Sequence, residues 1–334
     1  MLIVQIVLML LVIVAASELF TNALECLGAR LGISEGVTGS IFAAVGTALP
    51  ETLIPLLALA AGTPDRQINE EIGVGAILGA PLMLSTLSLS LLALVSLRRR
   101  GLRGRFRPER SGLVRDLDVF LVAFVLAAAM LFVPHRLIIV RVAVSAMLVT
   151  LYFIYLLLTL RASPALVDEG HETRARAPLF LARLHLPAGW ITTCIQLAGA
   201  VLLLVTGAHG FIAAVQQVSA RLDASPLLLS LLLVPVATEL PEKLNSIIWI
   251  RGGKDTLSFG NITGAMVFQG TLLPALGITL TPWTLRPDVV IGAAVTLAAA
   301  AWTRLALATG GIRVWQLLFN AALYVLYLVL ALHP

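Results

Sequence analysis

Two short stretches of this 334-residue chain have the residue types and spacing for ion chemistry: Gly46-Thr47-Ala48-Leu49-Pro50-Glu51 and Ala237-Thr238-Glu239-Leu240-Pro241-Glu242. Each sets a Pro directly before a Glu inside an apolar run. Proline has no N–H to donate and its ring clashes with the preceding turn, so carbonyls near Thr47 and Thr238 lose helical partners and become free to face an ion. The carboxylate one residue later completes a hard-oxygen site. An unpaired carboxylate at the centre of a bilayer costs roughly 3 kcal/mol on insertion scales, so two of them call for a cation, protons or paired bases. Glu51 and Glu242 are therefore expected at the centre of an ion site, as the metal ligands if the ion is a metal, with hydroxyl and carbonyl oxygens beside them. Such a set suits Ca²⁺, which accepts flexible oxygen coordination, and can equally be divided among Na⁺ ions or protons. No His or Cys pair accompanies either motif, which disfavours a soft transition metal.

Other polar residues in apolar context have two readings each. Glu239 is either a further ligand or the partner of Lys243, which follows at i+4 in the favourable order for a helical ion pair. Lys243, next to Glu242, could also hold a resident positive charge in the site. Glu18, Asn22, Glu25 and His209 could form a proton relay, but the preferred reading is that Glu18 and Asn22 satisfy each other or neighbouring backbone near the end of the first span and that His209 is a neutral hydrogen-bonded core residue, as buried polar groups usually are satisfied. Asn245 and Gln269 either line a path or bond between helices. Cys26 and Cys194 lie far apart and support neither a disulfide framework nor a thiolate site.

The elements that must position these residues follow from composition. The chain is 59% hydrophobic and 12% charged, with a mean hydropathy of +0.98, too little polar surface to coat a water-soluble globule. Apolar runs near residues 2–30, 34–61, 71–97, 117–133, 137–160, 189–219, 226–250, 256–281, 287–303 and 313–332 are each a candidate span of a hydrocarbon core about 30 Å thick. The first run lacks a basic leader and a cleavage site and is read as retained. The net charge of +5 lies mostly in short connections, notably the arginines between Arg98 and Arg115, so it reports topology and not a nucleic-acid partner. With that segment on the cytoplasmic side, Arg30, the 161–187 stretch, Arg251 with Lys254, and Arg304 with Arg313 join it there, and both termini lie outside.

Adding 191 to positions from Phe20 to Glu51 lands repeatedly on the same residue: Arg30/Arg221, Ser34/Ser225, Thr47/Thr238, Pro50/Pro241 and Glu51/Glu242 among others. An odd number of spans separates the copies, so the second is inverted, a transporter architecture with substrate near the midplane. The expected fold is an all-α membrane protein of about ten transmembrane helices in two inverted five-helix repeats. Residues 1–160 form the first repeat, 161–187 a cytoplasmic connecting loop and 188–334 the second repeat.

The doubled motif resembles the sodium/calcium exchanger family of the cation/calcium antiporter superfamily, in its prokaryotic form. The likeness covers nearly the whole chain. It implies Na⁺/Ca²⁺ countertransport by alternating access, with Thr47, Glu51, Thr238 and Glu242 as central ligands and Asn261 and Glu239 as further ion-binding candidates. The chain departs from the family pattern at Ala48 and Glu239, along Gly75-Ala76-Ile77-Leu78-Gly79-Ala80-Pro81, and at Ala265 and Met266 after Gly260-Asn261-Ile262-Thr263-Gly264. These departures keep an H⁺-coupled or other cation exchanger on the same scaffold as the alternative. An intramembrane hydrolase using the two carboxylates is more distant, because inversion symmetry serves alternating access and not cleavage. The expected setting is multi-pass in an inner (plasma) membrane among lipids, with no enzyme activity and no cofactor beyond transported Ca²⁺ and Na⁺ or H⁺.

Overall fold

The computed structural model describes residues 2–44, 66–175, 177–184, 186–221, 239–308 and 310–332. The described residues are almost all helical: α1 Leu2–Leu31, α2 Arg66–Met83, α3 Leu89–Arg100, α4 Arg110–Ala129, α5 Ile138–Asp168, α6 Trp190–Arg221, α7 Leu240–Arg251, α8 Asp255–Leu280, α9 Pro287–Ala308 and α10 Val314–Leu332. Among them, six stretches are long and apolar enough to cross a bilayer: Val7–Leu31, Gly73–Arg100, Ile138–Asp168, Trp190–Gly207, Asp255–Leu280 and Val289–Ala308. Helices are the expected answer in lipid, where every backbone N–H and C=O must be paired within its own segment.

Two boundaries differ from the sequence reading. Helix α5 runs on through Asp168, into the stretch assigned to the connecting loop, because nothing in Arg161–Val167 stops it except Pro164, which it absorbs near its end. Helix α4 begins at Arg110, inside the arginine-rich segment, because Glu109 caps it: its carboxylate accepts from the Ser111 N–H at 2.5 Å and the Gly112 N–H at 2.7 Å. The run from α2 to α3 is continuous, as expected for one span, with Pro81 inside it and a π-helical turn at Leu84–Ser88 just after.

Helix α8 is the centre of the bundle, with most of its residues buried. Its partners are α4, α5, α7 and a π-helical turn at Thr38–Ala43. The crossing with that turn is tight because both sides are stripped to glycine. A Cβ on Gly264 would collide with the Ser40 backbone, and one on Gly39 would meet the Leu257 carbonyl oxygen at 3.0 Å. Small residues four apart let helices in lipid approach to backbone contact, the use to which Gly260 and Gly264 are put here. Gly264→Ala is accordingly expected to cost about 1–3 kcal/mol through overpacking. It should visibly lower the melting temperature of the detergent-solubilised protein, while Gly199→Ala, whose Cβ would meet open space, should not.

Helices α1 and α6 pack along each other. They share a separate apolar cluster of Ile13, Phe20, Leu24, Ala200 and Leu204, with Trp249 of α7. Helix α5 presents Ile139, Val142, Phe153, Ile154 and Leu157 outward, the face expected to meet lipid tails.

All five basic regions grouped by the sequence come together at one end of the bundle. Arg100 grips Asp255 at the start of α8 in a two-point contact of 2.6 and 2.8 Å. Arg99 donates to the Arg251 carbonyl at 2.8 Å, and the Phe106 N–H to the Ile312 carbonyl at 2.8 Å. Lys254 donates to the Arg174 carbonyl and Arg30 to the Ala188 carbonyl. Gly253 turns the chain between α7 and α8 at a φ of +77°, a conformation that costs glycine nothing.

Candidate functional site

Helix α7 carries the described part of the site. Pro241 lies in its first turn and Glu239 at its cap, so the proline here starts a helix at a position where its missing N–H is no loss. Nine residues separate Glu242 from Arg251 at the basic end, which at 1.5 Å per residue places Glu242 roughly 14 Å in, about half the depth of a hydrocarbon core. Glu242 is fully buried. The free N–H groups and partial positive charge of a helix N-terminus favour carboxylates, and both Glu239 and Glu242 sit there.

Helix α8 runs antiparallel beside α7 and holds it in register. The Asn261 Nδ2 donates to the main-chain carbonyl of Glu242 at 3.0 Å and to the Ser246 Oγ at 2.9 Å. Ser246 and Ser258 exchange bonds to each other's carbonyls at 3.2 and 2.8 Å. Asn261, expected as a ligand, is thus at least a positioning residue for Glu242. Its Oδ1 is buried and has no hydrogen-bond partner among the described residues, and the same is true of both amide atoms of Asn245 and of Gln269. An amide oxygen can ligate a cation or a water, and the Asn261 Oδ1 lies on the helix pair that carries Glu242. Ser246 was not singled out in the sequence, although its place four residues after Glu242 puts it on the same face.

Glu239 and Lys243 form a buried ion pair, Nζ to Oε2, at 2.9 Å. The Lys243 N–H reaches the Glu239 carbonyl at 3.1 Å, so the helical turn closes across Pro241. Ala265 and Met266 are fully buried and supply no oxygen side chain. Thr47, Glu51 and Thr238 lie outside the described residues.

The remaining polar candidates have structural partners. Asn22 donates to the Ala177 and Pro178 carbonyls at 3.3 Å and accepts from the Phe180 N–H and Gln196 Nε2 at 2.9 Å, pinning the connecting segment. Glu25 accepts from the Trp249 indole at 3.0 Å and lies 3.1 Å from the Lys254 ammonium. Glu18 is exposed, and Asn22 bonds elsewhere, so the two do not satisfy each other. The His209 side chain lies outside the described residues. Cys26 and Cys194 are both free thiols.

A buried carboxylate that the sequence had left at the edge of a loop is Asp116 on α4. It accepts from Ser40 Oγ at 2.7 Å, Thr263 Oγ1 at 2.6 Å and Tyr155 OH at 3.0 Å. Its three partners come from the π-helical turn, α8 and α5. Only the tertiary fold brings those hydroxyls to it, so no local signal in the sequence marks it.

Known proteins resemble this chain in sequence and in fold. The inner membrane protein YrbG of Escherichia coli (strain K12) is 23% identical over 321 residues, covering 92% of this chain and 93% of its own. The solved structure of the sodium-calcium exchanger NCX_Mj soaked with 2.5 mM Na⁺ and 0.1 mM Ca²⁺ superposes with a TM-score of 0.75 at 19% identity, over 98% of this chain and 97% of that one. The same exchanger soaked with zero Na⁺ and Ca²⁺ gives 0.75 at 20% identity, over 98% of each chain. The two chains share a fold. The sequence model of the sodium/calcium exchanger protein family matches residues 1–161 and 193–333, nearly the whole length, and this chain belongs to that family.

Proposed function

We propose that the protein is a secondary active antiporter that exchanges Na⁺ for Ca²⁺ across a plasma membrane by alternating access. Glu51 and Glu242, with Thr47, Thr238 and Asn261, hold the ion near the midplane. Both termini face outward and the arginine-rich end faces the cytoplasm, the orientation that the positive-inside rule favours. The observation that carries the reading is the buried Glu242 at the start of a helix that begins at mid-depth, its backbone held by Asn261, with the buried Oδ1 atoms of Asn261 and Asn245, which have no hydrogen-bond partner among the described residues, on the same pair of helices. Broken helices whose ends meet an ion at the midplane are the form such sites take in inverted-repeat transporters.

A second reading, H⁺-coupled exchange, draws on Ala265 and Met266: with those buried positions apolar, fewer oxygens remain to share among several metal ions. Radiolabelled Ca²⁺ uptake into proteoliposomes separates the two. Uptake driven by internal Na⁺ is the expected result; uptake only with an acidic interior moves the coupling to protons, and no uptake under either gradient rejects Ca²⁺ as substrate.

A further inference from the structure

Lys243 is the only residue in the described part of the site that brings a positive charge. Its ammonium is nearly buried, and its carboxylate partner Glu239 is wholly so. A lone buried carboxylate is unfavourable in this setting, and breaking a buried pair by removing one member leaves the other charge uncompensated. In a transport site the missing counter-charge can come from an ion in solution. Here the chain supplies it from the next turn of the same helix, at 2.9 Å and in the favourable i,i+4 order.

We propose that Lys243 is a resident cation of the transport site, which permanently cancels Glu239 and reduces by one the positive charge that exchangeable ions must bring. The inference rests on the antiporter reading above. Glu51, Glu239 and Glu242 together would carry −3; adding Lys243 leaves −2, the charge matched by one Ca²⁺ or by two Na⁺. Glu239 is then the partner that keeps the ammonium in place and not a ligand for the transported ion. Its Oε2 is taken by Lys243, which directly follows Glu242 in the first turns of the helix that Glu239 caps. An uncancelled unit charge a few ångströms from a cation acts on it strongly in this poorly solvated setting, so removing either partner alone should move affinity by tenfold or more.

The test is equilibrium binding of ⁴⁵Ca²⁺ and ²²Na⁺ to purified full-length protein, for wild type, Lys243→Met, Glu239→Gln and the double variant. Lys243→Met should bind cations at least tenfold more tightly or take up an additional Na⁺. Glu239→Gln, which leaves the ammonium uncancelled, should bind at least tenfold more weakly, and the double variant should return to within about threefold of wild type. A double variant as weak as Glu239→Gln would make Glu239 a direct ligand and overturn the proposal, as would unchanged binding in Lys243→Met. Should Lys243→Met fail to fold, the comparison of Glu239→Gln with the double variant decides alone. Failure of the antiporter reading looks different: wild type would bind neither ion, and a gain of cation binding in Lys243→Met would still uphold the resident charge, while no gain would reject it.

Discussion

Glu242→Gln is expected to reduce Ca²⁺ uptake into Na⁺-loaded proteoliposomes at least a hundredfold while leaving the protein folded. Gln keeps the shape and one oxygen but loses the unit charge. At about 4 Å and an effective dielectric near 20 that charge is worth about 4 kcal/mol for each positive charge on the ion, so even after a large deduction for desolvation more than 2.7 kcal/mol remains, and each 1.4 kcal/mol is tenfold. Stability should change little, because Asn261 holds Glu242 through its main-chain carbonyl, which the substitution leaves in place. The measurement is initial-rate uptake alongside a thermal melt. Uptake within threefold of wild type would remove Glu242 from the ion site.

The part of this site legible from sequence is the part encoded locally. A Pro–Glu step in an apolar run, occurring twice at a fixed offset, needs no tertiary information to be read as a break with a buried charge. The Glu239–Lys243 pair was legible as one of two readings, since i,i+4 spacing determines proximity once the turn is helical. The gathering of the basic connections at one end was legible too, because charge in loops follows from span counting alone.

What stayed hidden depends on which helices meet. Asn22 was read as satisfied by its neighbours, whereas its actual partners lie more than 150 residues away in the connecting segment. The role of Gly260 and Gly264 shows only in the crossing with the Thr38–Ala43 turn, where they serve close approach. The extra length of α5 was missed because its polar end, Arg161 to Asp168, reads as loop by hydropathy while still being a competent helix. Helix continuation is a backbone matter, and hydropathy reports only on the solvent.

Asp116 makes the strongest case for the tertiary term, and Asp116→Ala is expected to be among the most destabilising single changes in the described bundle. Three hydroxyls converge on this one carboxylate, from Ser40, Thr263 and Tyr155, and all four side chains are buried. An interhelical bond in a membrane protein contributes about 0.6 kcal/mol on average and up to about 1.7, so losing three should cost about 2–5 kcal/mol at so buried a position. Thr263 keeps a second acceptor in the Phe259 carbonyl at 3.0 Å, which should hold the loss towards the lower half of that range. The cost falls on the junction of the Thr38–Ala43 turn, α4, α5 and α8, next to the crossing that Gly260 and Gly264 keep tight. Chemical denaturation in detergent is the measurement, with Tyr155→Phe as the graded comparison that removes a single bond. If Asp116→Ala proved no worse than Tyr155→Phe, the node would be ordinary packing, and the order of the bundle would rest on the glycine crossing instead.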